Sequence, residues 1–193
     1  MPSSATWHLH SQPLAEFADY LPTREAMASP PIDLVVREAH AEDADAIARL
    51  HSDRERLPLI ESVEWAGNVI QSARTDNAML LLAEDGGEVV AYGYAGLMRA
   101  DGIPKGFYLL GLVVDLRYRR QGIGHAITAA RMDWIRERAE VAYYFANELN
   151  GATIDLHAAF GFREVRRGVS IPGVTFRGGV GVLYESQTRQ LAN

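Results

Sequence analysis

A strand, a basic turn and a helix follow one another in FYLLGLVVDLRYRRQGIGHAITAARMDWIRER, residues Phe107–Arg138. The apolar, β-branched run Tyr108–Val114 predicts the strand, and apolar residues at spacings of three and four after Gly122 predict the helix. The turn between them carries three arginines in the run Arg117–Arg120, and two glycines follow. Such a turn presents backbone N–H groups and a helix N-terminus to one point, which predicts a binding site for an anion.

Length and composition limit the classes of protein to consider. The chain has 193 residues, of which 48% are hydrophobic and 23% charged, and this suits one folded domain with a short appendage. A net charge of −6 at pH 7 argues against a general nucleic-acid binder, which needs a basic face. The chain has no cysteine, so disulfides, thiolate metal ligands and a Cys nucleophile are excluded. We expect a cytoplasmic protein without a metal site.

The first 31 residues differ from the rest. They hold five of the eight prolines and lack the basic and apolar regions of a secretion signal. Since no apolar run approaches the roughly 20 residues that span a bilayer, we expect no membrane contact. We interpret residues 1–31 as a partly ordered extension and residues 32–193 as the folded domain. The alternative is that Trp7, Phe17 and Tyr20 dock on the domain or on a partner subunit.

The remaining chain alternates between strand-like and helix-like patterns. Strands are predicted at Ile32–Glu38, Ala78–Glu84, Glu88–Met98, Tyr108–Val114, Val141–Ala146, Phe162–Ser170 and Val180–Ser186. Helices are predicted at Ala41–Leu50, at Ser62–Ala73, after Gly122 and at Thr153–Phe160, with a polar break at Asp53–Pro58. We predict an α/β (α+β) fold with a mixed, mostly antiparallel central sheet of about seven strands and helices on both faces. The unit from Tyr108 to Phe145 is expected to be a right-handed parallel crossover.

The glycine turn has the chemistry of a pyrophosphate site. The run Arg119–Gly124 fits the pattern Arg/Gln-x-x-Gly-x-Gly/Ala, and its glycines allow a close approach of the backbone to a phosphate. Neither GxxxxGK[ST] nor GxGxxG is present, which argues against a P-loop NTPase and a dinucleotide-binding fold. Short glycine motifs are weak signals, so an ordinary helix start with solvated arginines remains the alternative.

A second motif, NGATIDLHAAFGF at Asn150–Phe162, follows the next predicted strand. It matches Asn-x-x-(Ala/Ser/Thr)-x-x-Leu-(Tyr/His)-x-x-x-Gly-Phe. Together with Val114–Gly124 and the VAYGYA run within Glu88–Met98, it resembles the GNAT superfamily of acyl-CoA-dependent N-acyltransferases. The resemblance covers about residues 33–187, and it comprises two motifs at the family's separation and in its element order.

The resemblance implies acetyl-CoA as cofactor and places it on particular residues. The pantetheine arm would lie between the strand and its parallel neighbour, the pyrophosphate would sit on the amides of Arg120–His125, and Asn150 would contact the cofactor arm. The implied cofactor-binding residues are Leu112, Val113, Val114, Arg119, Arg120, Gln121, Gly122, Ile123, Gly124, His125 and Asn150.

The resemblance also implies a mechanism. An amine would attack the thioester directly, and a backbone N–H near Val114 would stabilise the oxyanion. His157 stands where the family often carries a tyrosine assigned as general acid, and histidine can perform that proton transfer. The alternative is a histidine that only packs. Candidates for the general base are Glu148, Asp115, Glu84 and Tyr108, with a water chain as the other possibility.

The acceptor is the least determined part. An amine pocket is expected between the first two helices and a late loop, at Asp53, Arg54, Glu55, Arg56, Trp65 and Pro172–Arg177. We predict an N-acetyltransferase that acts on a small amine, a peptide N-terminus or a lysine, and a homodimer is possible. The alternative function is a non-catalytic acyl-CoA-binding sensor or interaction module of the same fold.

Overall fold

The computed structural model describes residues 33–189 and contains seven strands and four helices within that range. The strands are β1 (Val35–Glu38), β2 (Ala78–Asp85), β3 (Glu88–Met98), β4 (Gly106–Val114), β5 (Val141–Asn147), β6 (Arg163–Arg167) and β7 (Gly181–Gln187). The helices are α1 (Ala44–Glu55), α2 (Leu59–Ala73), α3 (Ile123–Arg136) and α4 (Gly151–Ala158). The predicted extension at residues 1–31 lies outside the described residues.

The strands form one sheet in the order β1-β2-β3-β4-β5-β7-β6. Every neighbouring pair is antiparallel except β4 and β5, which are parallel and joined through α3. A parallel pair requires such a crossover, whereas the β2–β3 pair needs only the two-residue turn Gly86-Gly87, where both residues have positive φ. The predicted fold class, with a mixed and mostly antiparallel sheet of seven strands, is confirmed.

The predicted polar break at Asp53–Pro58 is wrong in its extent. Helix α1 continues through Asp53 to Glu55 and ends where Arg56 adopts a left-handed conformation with a φ of 56°. The Ser52 hydroxyl donates to the Leu57 carbonyl over 2.7 Å, which ties the end of the helix to the short connection. Polar residues at the end of an amphipathic helix resemble a loop in sequence, because only its inner face needs to be apolar.

The two faces of the sheet have separate cores. Helices α3 and α4 cover one face, where Leu109, Ile127 and Tyr144 belong to the largest buried cluster. Helices α1 and α2 cover part of the other face, around Leu82 and Tyr92. A third cluster includes Tyr108 and lies under the late loop that precedes β7. Helices on both faces agree with the prediction and place the ends of β4 and β5 between α3, α1 and the late loop.

Candidate active site

Strands β4 and β5 are paired at one end only. Their parallel register contains just two pairs, Phe107 with Ala142 and Tyr108 with Tyr143. Strand β4 nevertheless stays paired with β3 as far as Val114. The β5-facing edge of β4 after Tyr108 is therefore not occupied by β5, which leaves a wedge-shaped gap where an extended ligand could bind backbone groups.

A bulge at Gly111 marks the separated half of β4. The register with β3 pairs Gly93 with Leu112 but Tyr94 with Leu110, so Gly111 is the extra residue. Its φ of +49° is a conformation that glycine adopts without steric cost. The bulge also changes the alternation of side chains, since Leu109 and Leu112 both pack on the α3 face although they are three residues apart. A glycine within an apolar strand is a known signal for a bulge, but sequence reasoning missed it here.

Arg131 of α3 lies beneath this bulge and is 1% exposed. Its Nη1 donates to the Tyr94 carbonyl over 3.1 Å and to the Gly111 carbonyl over 3.3 Å, and its Nη2 donates to Thr128 Oγ1 over 2.9 Å. Burial lowers the pKa of Arg131 to about 9, so the guanidinium remains charged at neutral pH. Sequence reasoning also missed this residue.

The predicted glycine turn forms the N-terminus of α3. Gly122 is the N-cap with a φ of 78°, and the first helical bond runs from the Ala126 N–H to the Gly122 carbonyl. The amides of Ile123, Gly124 and His125 therefore have no acceptor within the helix. Three such donors at the positive end of a helix dipole form an anion site.

Gly124 brings the turn against the separated half of β4. A Cβ at Gly124 would lie 3.6 Å from Leu112, 3.7 Å from Leu156 of α4 and 3.9 Å from Val114. These are ordinary van der Waals distances, so alanine would also fit, in agreement with the Gly/Ala alternative of the motif. The structure thus brings the predicted phosphate turn, the edge of β4 and the last turn of α4 together at one place.

The arginines of the turn have different roles. Arg117 pairs with Asp115 and with Glu88, each over 2.8 Å, so its charge is balanced by two carboxylates. The Nε of Arg119 donates to the Val114 carbonyl over 3.2 Å. That bond occupies the last carbonyl of β4 and leaves the Val114 N–H and the backbone of Leu112 as candidates for a ligand, whereas the backbone groups of Val113 face Tyr92 of β3. Gln121 donates to the Arg117 carbonyl and closes the turn.

Asn150 stands at the N-cap of α4. Its side-chain oxygen accepts from the Thr153 N–H over 3.2 Å, a bond that typically stabilises a helix by about 1 kcal/mol. The side-chain NH2 group is the part of Asn150 that could donate to the cofactor arm.

His157 is buried in α4, and its surroundings disagree with the predicted role of general acid. Its Nδ1 lies 2.8 Å from the Thr153 carbonyl, so Nδ1 carries a proton and donates it inward. The ring stacks on Tyr144 at 4.0 Å and meets Phe162 edge to face. Burial, reinforced by the positive charge of Arg131, lowers the pKa of His157 to about 3. A neutral ring with its one proton committed is a poor proton donor at pH 7, which favours the packing role.

The four candidates for the general base are all engaged elsewhere. Glu84 pairs with Arg37 over 2.5 Å, Asp115 with Arg117 over 2.8 Å, and Glu148 with Arg167. The Arg117 contacts hold the pKa of Asp115 below its ordinary value. Tyr108 is fully buried, its hydroxyl donates to the Pro104 carbonyl over 2.7 Å, and burial raises its pKa. Each of the four is thus already paired or buried, which argues against its role as general base.

The predicted acceptor residues lie on the α1/α2 face. Trp65 of α2 stacks on His51 of α1 with ring centroids 3.8 Å apart, and it also contacts Tyr92 of β3. Trp65 thus packs against the core between α1, α2 and β3. His51 escaped sequence reasoning because no motif contains it.

The late loop is fastened to the end of β5. The side-chain amide of buried Asn147 donates to the Arg177 carbonyl over 2.8 Å, and Phe176 packs edge to face on Phe145. Sequence reasoning did not single out Asn147. The loop and the end of α1 therefore flank the wedge-shaped gap from two sides of the same sheet face.

Comparison with known proteins identifies the family. A family model described as the acetyltransferase (GNAT) family matches residues 42–162. The chain belongs to this family. The match includes both the glycine turn and the Asn150–Phe162 motif, and the predicted family is thereby confirmed.

Individual relatives agree with the GNAT assignment. The chain is 29% identical over 140 residues to an N-alpha-acetyltransferase of Sulfurisphaera tokodaii, covering 68% of this chain and 81% of the relative. The fold matches yncA of Salmonella typhimurium, solved with acetyl-CoA, at 20% identity and a TM-score of 0.63 over 83% of this chain and 97% of that one. It also matches Arabidopsis thaliana NAA60 in complex with a bisubstrate analogue, at 20% identity and a TM-score of 0.60 over 80% and 97%.

The GNAT assignment makes the protein an acetyl-CoA-dependent N-acetyltransferase, as predicted. The comparisons give no support to the alternative of a non-catalytic sensor. Among the helices that the structure describes, none is long and apolar enough to cross a bilayer. Residues 33–189 contain no cluster of three His, Asp or Glu side chains that could hold a metal ion.

Proposed function

We propose that this protein acetylates the α-amine at the N-terminus of a polypeptide, with acetyl-CoA bound in the gap between β4 and β5. The observation that carries the proposed cofactor site is the free edge of β4 beyond Tyr108, which lies against the N-terminus of α3 at Gly124. The choice of acceptor follows the N-alpha-acetyltransferase that matches most of this chain.

The cofactor would be held mainly by backbone groups, with one side-chain contact from α4. The pyrophosphate accepts from the amides between Arg120 and His125, where Gly122 provides the positive φ. The pantetheine arm pairs with the backbone of Leu112 on the free edge of β4, as an added strand would. The amide of Asn150 donates to the same arm from α4.

The reaction proceeds by direct attack. The amine nitrogen bonds to the thioester carbonyl carbon, the C–S bond breaks, and the N–H of Val114 stabilises the oxyanion. The amine proton leaves to water, and the departing thiolate takes a proton from solvent. His157 supports the floor of the site by packing on Tyr144, and we assign it no proton transfer.

The acceptor would enter on the α1/α2 face, between the end of α1 and the late loop. Arg54 contributes donors and Glu55 contributes acceptors there, which suit the carbonyl and N–H groups of a peptide. A cytoplasmic location is part of the proposal, because a chain without cysteine suits the reducing cytoplasm.

An acetylation assay with three matched acceptors tests the proposal. One peptide has a free α-amine and no lysine, the second is Nα-blocked and carries one lysine, and the third acceptor is a small polyamine. Mass spectrometry of the product is expected to show acetyl transfer to the first peptide at a kcat/KM at least about tenfold above the others. Preferred acetylation of the lysine or of the polyamine would contradict the proposed acceptor while leaving the acetyltransferase assignment intact.

A further inference from the structure

Bulges leave backbone carbonyls without their ladder partners, and a buried carbonyl needs a donor. At the β4 bulge the register between β3 and β4 shifts between Gly93 and Tyr94. The carbonyls of Tyr94 and Gly111 lie on either side of that shift, and both accept from the same Nη1 of Arg131. One guanidinium therefore satisfies both strands where their ladder is interrupted.

The surroundings of Arg131 are built around this contact. A Cβ at Gly93 would lie 2.5 Å from Ile127 and 3.2 Å from the Arg131 Nε, so the absence of a side chain at Gly93 makes room for the guanidinium. Thr128, itself fully buried, accepts from the Nη2. Burial lowers the pKa of Arg131. Its Nε has no hydrogen-bond partner among the described residues. Burying a cation without a paired carboxylate lowers the stability of the fold. An apolar residue at this position would avoid that cost.

Arg131 also connects the two halves of the cofactor site. It lies on α3, whose N-terminus carries Gly122, and it reaches the point where β4 turns away from β5. The same helix thus fixes the phosphate turn with its backbone and the bulge with its side chain.

We propose that Arg131 is a positioning residue for acetyl-CoA. It holds the bulge at Gly111 in the shape that presents Leu112–Val114 to the pantetheine arm, and it acts through the backbone without touching the cofactor. The inference rests on the proposed cofactor site. It distinguishes the two parts of CoA: the pantetheine arm depends on Arg131, whereas the phosphates on the helix N-terminus do not.

Calorimetric titration with two ligands tests this role. CoA contains the pantetheine arm. Adenosine 3′,5′-bisphosphate lacks the arm and the outer phosphate of the pyrophosphate, but it keeps the phosphate that is attached to the adenosine. The R131M variant is expected to raise the Kd for CoA at least about tenfold and to leave the Kd for the bisphosphate within about twofold. R131K, which keeps a cation and three donors, is expected to fall between R131M and the wild type.

Two further variants keep the test independent of folding. Thr128→Val removes one acceptor of Arg131 at nearly constant volume and is expected to shift CoA binding in the same direction by a smaller factor. Arg136→Met changes an arginine of the same helix that donates to the Thr188 carbonyl, and neither Kd is expected to change.

Equal weakening of both ligands by R131M, or unchanged CoA binding, would overturn the positioning role. A wild-type protein that binds CoA no better than the bisphosphate would instead contradict the placement of pantetheine on β4, and with it the proposed cofactor site.

Discussion

Strand β4 has two different halves. Before Gly111, Tyr108 pairs with β5, and both Tyr108 and Leu109 are buried in the cores of the two sheet faces. After Gly111, Leu112 and Val114 are only half-buried and face the phosphate turn through Gly124. Both halves are apolar and both pair with β3.

The difference between the halves comes from their neighbours, since composition hardly separates them. One half meets β5 and loses its free edge, whereas the other is bent by the bulge and keeps it. A free strand edge is a liability in most proteins. Here it lies beside a helix N-terminus, an arrangement that suits a ligand with an extended arm and a phosphate end.

The largest expected effect is at the phosphate turn. Gly122→Asp introduces a carboxylate at the N-cap of α3, and we expect the affinity for CoA to fall roughly 100-fold through lost amide contacts and charge repulsion. Gly87→Asp is the matched control, because Gly87 also has a positive φ, of 85°, but lies in the β2–β3 turn. Calorimetry should show CoA binding by the control within about twofold of wild type. Normal CoA binding by Gly122→Asp would remove the phosphate site from this turn.

Truncating one leucine in each half of β4 compares what the two halves contribute to stability and to CoA binding. Leu109→Ala deletes a buried core side chain and should lower the free energy of unfolding by about 3 kcal/mol. Leu112→Ala affects a half-buried residue, so about 1 kcal/mol is expected there, together with weaker CoA binding. Urea unfolding gives the loss of stability in each variant, and titration with CoA gives the change in its affinity. A larger stability loss from Leu112→Ala would contradict the division of the strand.

His157→Phe should have the smallest effect on catalysis. Because the Thr153 carbonyl holds the Nδ1 proton and burial keeps the ring neutral, we expect kcat to stay within about threefold of wild type. A loss of about 100-fold, the size typical of a missing general acid, would restore the acid role.

The same variant should change the pH dependence of stability. The pKa of His157 falls from 6.5 to about 3 on folding, so between these values the unfolded chain holds one more proton and wild-type stability falls as the pH falls. His157→Phe removes this loss. When the pH is lowered from about 7 to about 5, the free energy of unfolding of the variant should rise by roughly 2 kcal/mol relative to that of wild type, as measured by urea unfolding. If the difference in unfolding free energy between the two proteins did not change with pH, this would contradict the buried, neutral state of the ring.

Much of the architecture could be predicted from the sequence because it depends on local patterns. The apolar run and the glycine turn predict a strand, an anion site and a helix regardless of what packs around them. The sequence also contained a signal for Arg131: it stands four residues after Ile127 and four before Ile135, in the apolar stripe of α3. Its partners, the carbonyls of Tyr94 and Gly111, become visible only once the register of β3 and β4 is known.

The behaviour of His157 shows a different limit. The resemblance to the GNAT superfamily implies a proton donor at its motif position, and the chemistry of imidazole permits that role. Its pKa depends on burial and on the charge of Arg131 in another helix, which no local pattern contains. Likewise, the base candidates were suggested by residue type, and the arginines that engage Glu84 and Glu148 come from distant segments.

Amide hydrogen exchange of the folded protein with each of two ligands tests the central claim most directly. CoA should slow exchange at Leu112–Val114 and at Arg120–His125, because the arm and the phosphates cover both segments. Adenosine 3′,5′-bisphosphate should slow exchange in the phosphate turn and leave β4 unchanged. Equal protection of β4 by both ligands, or protection by CoA that leaves β4 unaffected, would contradict the account of β4 as the strand that binds the pantetheine arm.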